Sequence, residues 1–343
     1  MKRAWLLGFS LLCALTPAND FPDEVPPIKP ATTSAQQAGR LAPLQRELNE
    51  IAEGFNGRLG YALVIPATDE EISFRGDERF PSASTIKTAV MMEAFWQVEE
   101  GTLEWDEAIA LPPVEDRNAS MWTYFLRDPI EVDVDALVNL MMNVSDNTAT
   151  VVLANRLGAE NIEQRMLDLG LENTAWTSNP PPDNQRLVRL RETFRNMGVT
   201  TPREMARLLQ VIYNGEGISR AAREKMIRIM SHQYWDDWID ASVPVDVVVA
   251  SKVGALNRSR SDTAIVFAEQ PYILTIYTDN QADQSWKADN EGHLAIQEIA
   301  LRVWNFLNPD RPRTLPEDFE KWLPTGGGVS EEPDPEEATT TSG

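Results

Sequence analysis

Strand-like runs stand at both ends of the central sequence, and the residues between them repeat with a helical period. Leu59 to Ile65 and Glu71 to Arg75 alternate as strands around a polar turn at Thr68-Asp69-Glu70, which reads as a hairpin. Strand patterning returns only at Val247 to Val253, Thr263 to Phe267 and Tyr272 to Thr278. Between these groups helices are predicted at Ser84 to Val98, Val134 to Met142, Thr148 to Leu157, Asn161 to Leu169, Pro202 to Tyr213 and Ser219 to Met230. Two more flank the whole, with apolar stripes along Leu41 to Phe55 and Leu294 to Leu307. Thr201, Pro202 and Glu204 supply a cap, a favoured first residue and a capping box for one of them. Strands this far apart in the chain find hydrogen-bond partners most simply in one antiparallel sheet. The expected class is therefore α+β: a sheet flanked by helices, with a mostly helical subdomain inserted between its first and last strands.

The flanks read differently. Lys2 and Arg3 precede an apolar run from Ala4 to Leu15 that is short for a membrane span, with small residues at Thr16 and Ala18. Residues 1–18 are expected to be an export signal, giving a periplasmic or secreted protein. A lipid anchor on Cys13 is the lesser alternative, because Leu12 before it is bulky. Cys13 is the only cysteine, so the mature chain has no thiol nucleophile and no disulfide. Residues 19–40 have the composition of a linker. Residues 311–343 form a tail with an acidic cluster at Glu331, Glu332, Asp334, Glu336 and Glu337, a composition that favours disorder. That leaves 41–310 for the folded domain. The net charge of -22 repels a phosphate backbone, which argues against nucleic-acid partners. No later stretch is apolar enough for a stable membrane span. A monomer acting on a small-molecule acyl compound is expected.

The chemistry has to come from few residues. His232 and His293 are the only histidines, and neither has metal-ligand spacing. No Gly-x-Ser-x-Gly elbow occurs. No metal and no cofactor are expected. The informative segment is Pro81-Ser82-Ala83-Ser84-Thr85-Ile86-Lys87. Ser84 and Lys87 stand three apart at a helix start. A lysine there faces the positive end of the macrodipole among apolar neighbours, so its pKa should fall, and the neutral amine can take the serine proton. Taken alone, Ser-x-x-Lys also fits an ordinary capped helix. Two further patterns, Ser145-Asp146-Asn147 and Lys252-Val253-Gly254, change the balance. Their own plain readings are a helix cap and a sheet edge.

The three patterns stand in the order, and at the separations, of the class A β-lactamase and penicillin-binding-protein family, which the chain resembles over about 41–308. The resemblance implies a β-lactamase-like fold and a serine hydrolase that forms an acyl-enzyme. Ser84 would be the nucleophile and Lys87 its proton acceptor. Ser145, helped by Lys252, would relay a proton to the leaving nitrogen. Asn147 would hold a substrate amide. The backbone N–H groups of Ser84 and Ala255, the latter following Gly254, would bind the oxyanion.

Two departures from the family pattern bear on turnover. Val253 replaces the usual Thr or Ser, removing a hydroxyl that would meet a substrate carboxylate; Arg258 or, preferably, Arg260 would compensate. The family's water-activating glutamate has no clear counterpart. Pro180 falls at its place, Asn184 fits the asparagine that follows, and Asp183, Glu172 and Glu192 are the remaining candidates. Acylation is thus better supported than fast deacylation. β-Lactam hydrolysis is the leading expectation, beside a cell-wall D-Ala-D-Ala peptidase or esterase, and a penicillin-binding or sensor module without turnover.

Overall fold

The computed structural model describes residues 39–314 other than Asp236. The expected signal, most of the linker and the tail from residue 315 onward lie outside the described residues. Helix α1 (Ala42–Gly54) leads into the hairpin β1 (Arg58–Ile65) and β2 (Glu70–Phe74). A short strand β3 (Phe80–Pro81) and a 3-10 turn, Ala83–Ile86, deliver α2 (Lys87–Glu99). The inserted region then brings β4 (Ala108–Ala110), β5 (Glu131–Asp133), α3 (Val134–Asn143), α4 (Asn147–Leu157), α5 (Ala159–Asp168) and β6 (Ala175–Trp176). It continues with α6 (Gln185–Phe194), β7 (Gly198–Thr200), α7 (Pro202–Asn214) and α8 (Arg220–Met230). The chain returns through β8 (Val249–Leu256), β9 (Ser259–Val266) and β10 (Tyr272–Asp279) to α9 (Glu291–Leu307).

The early and late strands meet as expected. The five-stranded sheet has the order β2-β1-β10-β9-β8, with Leu63 opposite Leu274 and Lys252 opposite Thr263, every pair antiparallel. Because strand side chains alternate between faces, each strand feeds two cores. On one face Leu59, Tyr61, Leu63, Val253, Ala264 and Leu274 pack with α1 and α9. On the other, Ala62, Val64, Ala250, Ile265 and Ile273 pack with α2 and the inserted helices. Helix α2 is buried from Lys87 to Gln97, the mark of a central helix enclosed on all sides.

Several boundaries differ from the sequence reading for local reasons. The Thr85 N–H donates to the Ser82 carbonyl (3.1 Å), so the nucleophile segment starts as a tight 3-10 turn and the α-helix begins only at Lys87. Strand β9 starts at Ser259 because Leu256 already pairs with Ser259, leaving Asn257 and Arg258 as a two-residue hairpin loop. Helix α6 was not expected: Asn184, read only as a motif position, caps it by accepting from the Leu187 N–H (3.1 Å). Contacts also run past the expected domain limits. Arg40 pairs with Glu70 (2.8 Å), and the Trp304 indole donates to the Arg311 carbonyl (2.8 Å).

Candidate active site

Between Phe80 and Gln97 every residue is buried except Ser84. The 3-10 turn produces this selective exposure. It places residues three apart one above the other, so Ser84 and Lys87 share a side of the turn. Ala83 precedes Ser84 with φ +46°, a left-handed conformation costly for a residue with a Cβ and typical of functional segments.

Lys87 is fully buried, and its Nζ donates to three oxygens: the Ser145 carbonyl (2.7 Å), Ser145 Oγ (3.0 Å) and Asn147 Oδ1 (2.8 Å). Lys252, equally buried, donates to Ser145 Oγ (3.1 Å) and to the Val253 carbonyl (3.1 Å). The three sequence patterns thus converge on one hydroxyl. Burial, with the nearby Lys252 charge adding to it, holds the Lys87 amine well below its ordinary pKa; Asp146 opposes the shift. Burial lowers Lys252 to about 7, against an opposing pull from Asp262. Both amines are therefore available as neutral bases far below the usual lysine range.

Ser145 also has left-handed φ, +59°, at the junction of α3 and α4. The helix cap at this junction is the buried Asp146. Its Oδ1 accepts from the Ala149 N–H (2.9 Å) and the Thr123 hydroxyl (3.0 Å), and its Oδ2 from the Thr123 N–H (2.8 Å). With Asp146 spent on the scaffold, Ser145 is left to face the two lysines.

Gly254 explains how the edge strand β8 reaches the nucleophile. A Cβ there would lie 2.9 Å from the Ser84 nitrogen and 2.9 Å from the Ser82 carbonyl oxygen. Only glycine lets the strand lie against the 3-10 turn this closely. Ala255 follows on the same edge, opposite Arg260.

Two expected contributors stand elsewhere. Arg260 is not brought to the cleft. Its strand position alternates with Ser261, so its side chain goes to the α9 face. There it donates to His293 Nε2 (2.8 Å), the Ser259 carbonyl (2.9 Å), the Ser285 carbonyl (2.6 Å) and the Leu256 carbonyl, and stacks on Trp286. Those acceptors occupy the fork that was expected to meet a substrate carboxylate. Arg258 is exposed in the hairpin loop. Val253 belongs to the α1/α9-side core, so the position between Lys252 and Gly254 serves packing. His293 is likewise committed to that side; burial and the Arg260 charge lower its pKa to about 3.

The carboxylates considered for water activation are at the surface. Glu172, Asp183 and Glu192 are exposed. The Asn184 side chain is held by the Glu163 carboxylate and the α6 cap. Sequence reasoning did not single out Ser82 and Ser261, although they join the turn to the sheet: Ser261 Oγ donates to the Gly254 carbonyl (3.1 Å) and, more weakly, to the Ser82 carbonyl (3.5 Å). The strand alternation that puts Lys252 in the cleft, together with its pairing to β9, would have pointed to Ser261 had the register been known.

The family model described as "Beta-lactamase enzyme family" matches residues 43–307. Among curated proteins, the chain is 27% identical over 260 residues to the beta-lactamase AER-1 of Aeromonas hydrophila, covering 74% of this chain and 82% of that one. It is 25% identical over 298 residues to the beta-lactamase CARB-3 of Pseudomonas aeruginosa, covering 83% and 93%. Among solved structures, PBP-A superposes with a TM-score of 0.69 at 23% identity, covering 82% of this chain and 99% of that one. An ancestral class A beta-lactamase superposes with a TM-score of 0.64 at 25% identity, covering 76% and 98%. With the expected α+β fold and all three sequence patterns gathered at one cleft, this chain belongs to the beta-lactamase enzyme family, as a serine hydrolase of the class A β-lactamase and penicillin-binding-protein-like type.

Proposed function

We propose that the chain is an exported, monomeric acyl-transfer enzyme that opens β-lactam amides through an acyl-enzyme on Ser84, and that it clears this intermediate slowly. The observation that carries the reading is the Ser145 hydroxyl held between two buried lysines, one of them three residues after Ser84, the one residue of the nucleophile segment that is not fully buried.

The chemistry follows from that placement. Ser84 Oγ attacks the lactam carbonyl carbon as its proton passes to the neutral Lys87 amine. The oxygen that gains charge is met by the Ser84 N–H and by the Ala255 N–H on the adjoining strand edge, where preorganised donors lower the barrier most. The C–N bond then breaks. Ser145 gives its proton to the departing nitrogen and regains one from the lysines beside it. Asn147 Oδ1 is engaged by Lys87, which leaves its amide N–H groups to hold a substrate carbonyl. Lys252 in its charged form attracts the substrate carboxylate. The residues require neither metal nor cofactor for these steps.

Slow clearance rests on the missing base. The three candidate carboxylates are exposed, and Asn184 is drawn toward Glu163. The same observation favours a second reading, a D-Ala-D-Ala peptidase or esterase whose acyl-enzyme passes to an acceptor other than water. A binding or sensor module is the third.

The test is intact mass over time after mixing the mature protein with benzylpenicillin, with Ser84→Ala beside it. A Ser84-dependent adduct that decays over minutes to hours with release of opened lactam supports the proposal. An adduct that persists, together with turnover of a D-Ala-D-Ala ester, moves the function to the second reading. No adduct with any lactam or ester removes acyl transfer altogether.

A further inference from the structure

Gly60, Tyr277, Ser261 and Gly254 form a row across the sheet beneath the nucleophile turn. Gly60 on β1 stands opposite Tyr277 on β10, Tyr277 opposite Ser261 on β9, and Ser261 opposite Gly254 on β8. Directly paired residues share a face, so the whole row faces the segment that runs through Ser84. Each member meets a different part of that segment. A Cβ on Gly60 would lie 2.8 Å from the Phe80 ring, and one on Gly254 would lie 2.9 Å from the Ser84 nitrogen. Between these two close approaches, Ser261 Oγ reaches the Ser82 carbonyl (3.5 Å) and the Tyr277 hydroxyl meets Thr85 Oγ1 (2.9 Å).

The proton count decides which hydroxyl donates. Thr85 Oγ1 gives its one proton to the Ser82 carbonyl (2.8 Å), so the Tyr277 hydroxyl is the donor in the bond between them. Both residues are fully buried, and burial holds the Tyr277 phenol above its ordinary pKa, so it keeps the proton it donates. The Ser82 carbonyl also accepts from the Thr85 N–H (3.1 Å), while the Ser82 N–H donates to the Gly198 carbonyl on β7 (3.0 Å). Ser82 is thus held through both its N–H and its carbonyl.

The residue held in this way precedes the strained one. Ala83 has φ +46°, a conformation that a residue with a Cβ keeps only where its surroundings impose it. The backbone angles of Ala83 in turn set where the Ser84 N–H and side chain point.

We propose that Tyr277 is a positioning residue for acyl transfer: its hydroxyl fixes Thr85 Oγ1 on the Ser82 carbonyl, and so keeps Ala83 left-handed and Ser84 aimed. The hydroxyl is delivered by β10, a strand paired on both sides. Tyr277 acts only through Thr85 and Ser82, and the inference rests on the acyl-transfer reading of Ser84.

The test compares three substitutions. Tyr277→Phe keeps the ring beside Phe80 and removes only the hydroxyl. Thr85→Val breaks the same chain from the other side at nearly the same volume, and Thr85→Ser keeps the oxygen. Rapid-mixing acylation by benzylpenicillin gives the maximal rate, and each substitution placed on Ser84→Ala gives the affinity for the unreacted lactam. The maximal rate should fall by about tenfold or more in Tyr277→Phe and in Thr85→Val, a scale set by misplacing a reacting group, with affinity held within about threefold. The double variant should be no slower than the slower single one, because both break one chain, and Thr85→Ser should acylate within about threefold of the unsubstituted protein. Tyr277→Phe acylating at the unsubstituted rate, or losses that multiply in the double variant, would overturn the proposal. So would an affinity that falls as far as the rate, which would give the hydroxyl a general structural role. An unsubstituted chain that forms no Ser84 adduct would instead bring down the acyl-transfer reading, and this inference with it.

Discussion

Lys87 and Lys252 donate to the same oxygen, Ser145 Oγ, from 3.0 and 3.1 Å. Both side chains are fully buried, and each has a further acceptor: the Ser145 carbonyl and Asn147 Oδ1 for Lys87, the Val253 carbonyl for Lys252. The arrangement makes Ser145 a bridge through which a proton can pass between the lysines and a substrate nitrogen. Ser145→Ala removes the bridge and leaves two buried amines facing one another. Acylation by a penicillin should slow by about 10²–10⁴-fold, the usual range for removing one proton-transfer partner. Stopped-flow acylation measures the rate, and a rate within threefold of the unsubstituted protein would remove Ser145 from the chemistry.

Holding a lysine in the core carries a pH signature. Burial lowers Lys252 to about 7 in the folded chain, while in the unfolded chain it keeps its ordinary value near 10.5. Between these values the unfolded state binds more protons, so this residue's contribution to stability becomes more favourable as pH rises through the window. Below about pH 7 the folded chain must bury the charged form. Lys252→Met should therefore melt higher than the unsubstituted protein at pH 6, with the gap narrowing steadily toward pH 9. Thermal melts of the two proteins across that range give the comparison. A gap that stays constant or widens with pH would show that the lysine is not buried as described.

Arg260 separates stability from catalysis. Its guanidinium is enclosed by His293, Ser285, Leu256 and Trp286 on the α9 face, away from the cleft that Lys87, Ser145 and Lys252 line. Arg260→Ala leaves those carbonyls and the His293 ring without their donor, at a cost of about 1–3 kcal/mol, the desolvation penalty of buried acceptors left unsatisfied. Denaturant unfolding should show this loss, while the KM for a carboxylate-bearing lactam changes less than twofold. A tenfold rise in KM with unchanged stability would return Arg260 to the substrate-binding role expected from sequence.

The case of Arg260 shows where the sequence stopped being legible. The order of strands and helices follows from hydrophobic period, and the convergence of Ser84, Lys87, Ser145 and Lys252 follows from three short patterns shared with a family. Which face a strand residue takes depends on register, and a shift of one residue exchanges the faces. Arg260 is expected at the cleft, and Val253 is read there only as a missing hydroxyl; both side chains belong to the opposite face. Helix α6 was missed because Pro180, Pro181 and Pro182 precede it and its start rests on one side-chain cap at Asn184. The Ser84–Lys87 pair survived a similar uncertainty, because a 3-10 turn and an α-helix both put residues three apart on one side.

Gly254 offers the sharpest geometric test. A methyl group at this position would sit 2.9 Å from the Ser84 nitrogen and 2.7 Å from Ser261 Oγ, inside the closest approach of ordinary side chains. The serine hydroxyl can rotate away, but the Ser84 nitrogen belongs to the backbone. Gly254→Ala must therefore push β8 and the 3-10 turn apart. The Ser84 and Ala255 N–H groups come from those two elements, so the displacement falls on the pair proposed to bind the oxyanion. Loss of one such donor costs about 10²–10³ in rate. Acylation should drop by that factor while binding of the unreacted lactam, measured on Ser84→Ala and on Ser84→Ala combined with Gly254→Ala, changes by less than fivefold. Equal losses in binding and in acylation would mean that the glycine shapes the pocket without setting the oxyanion donors.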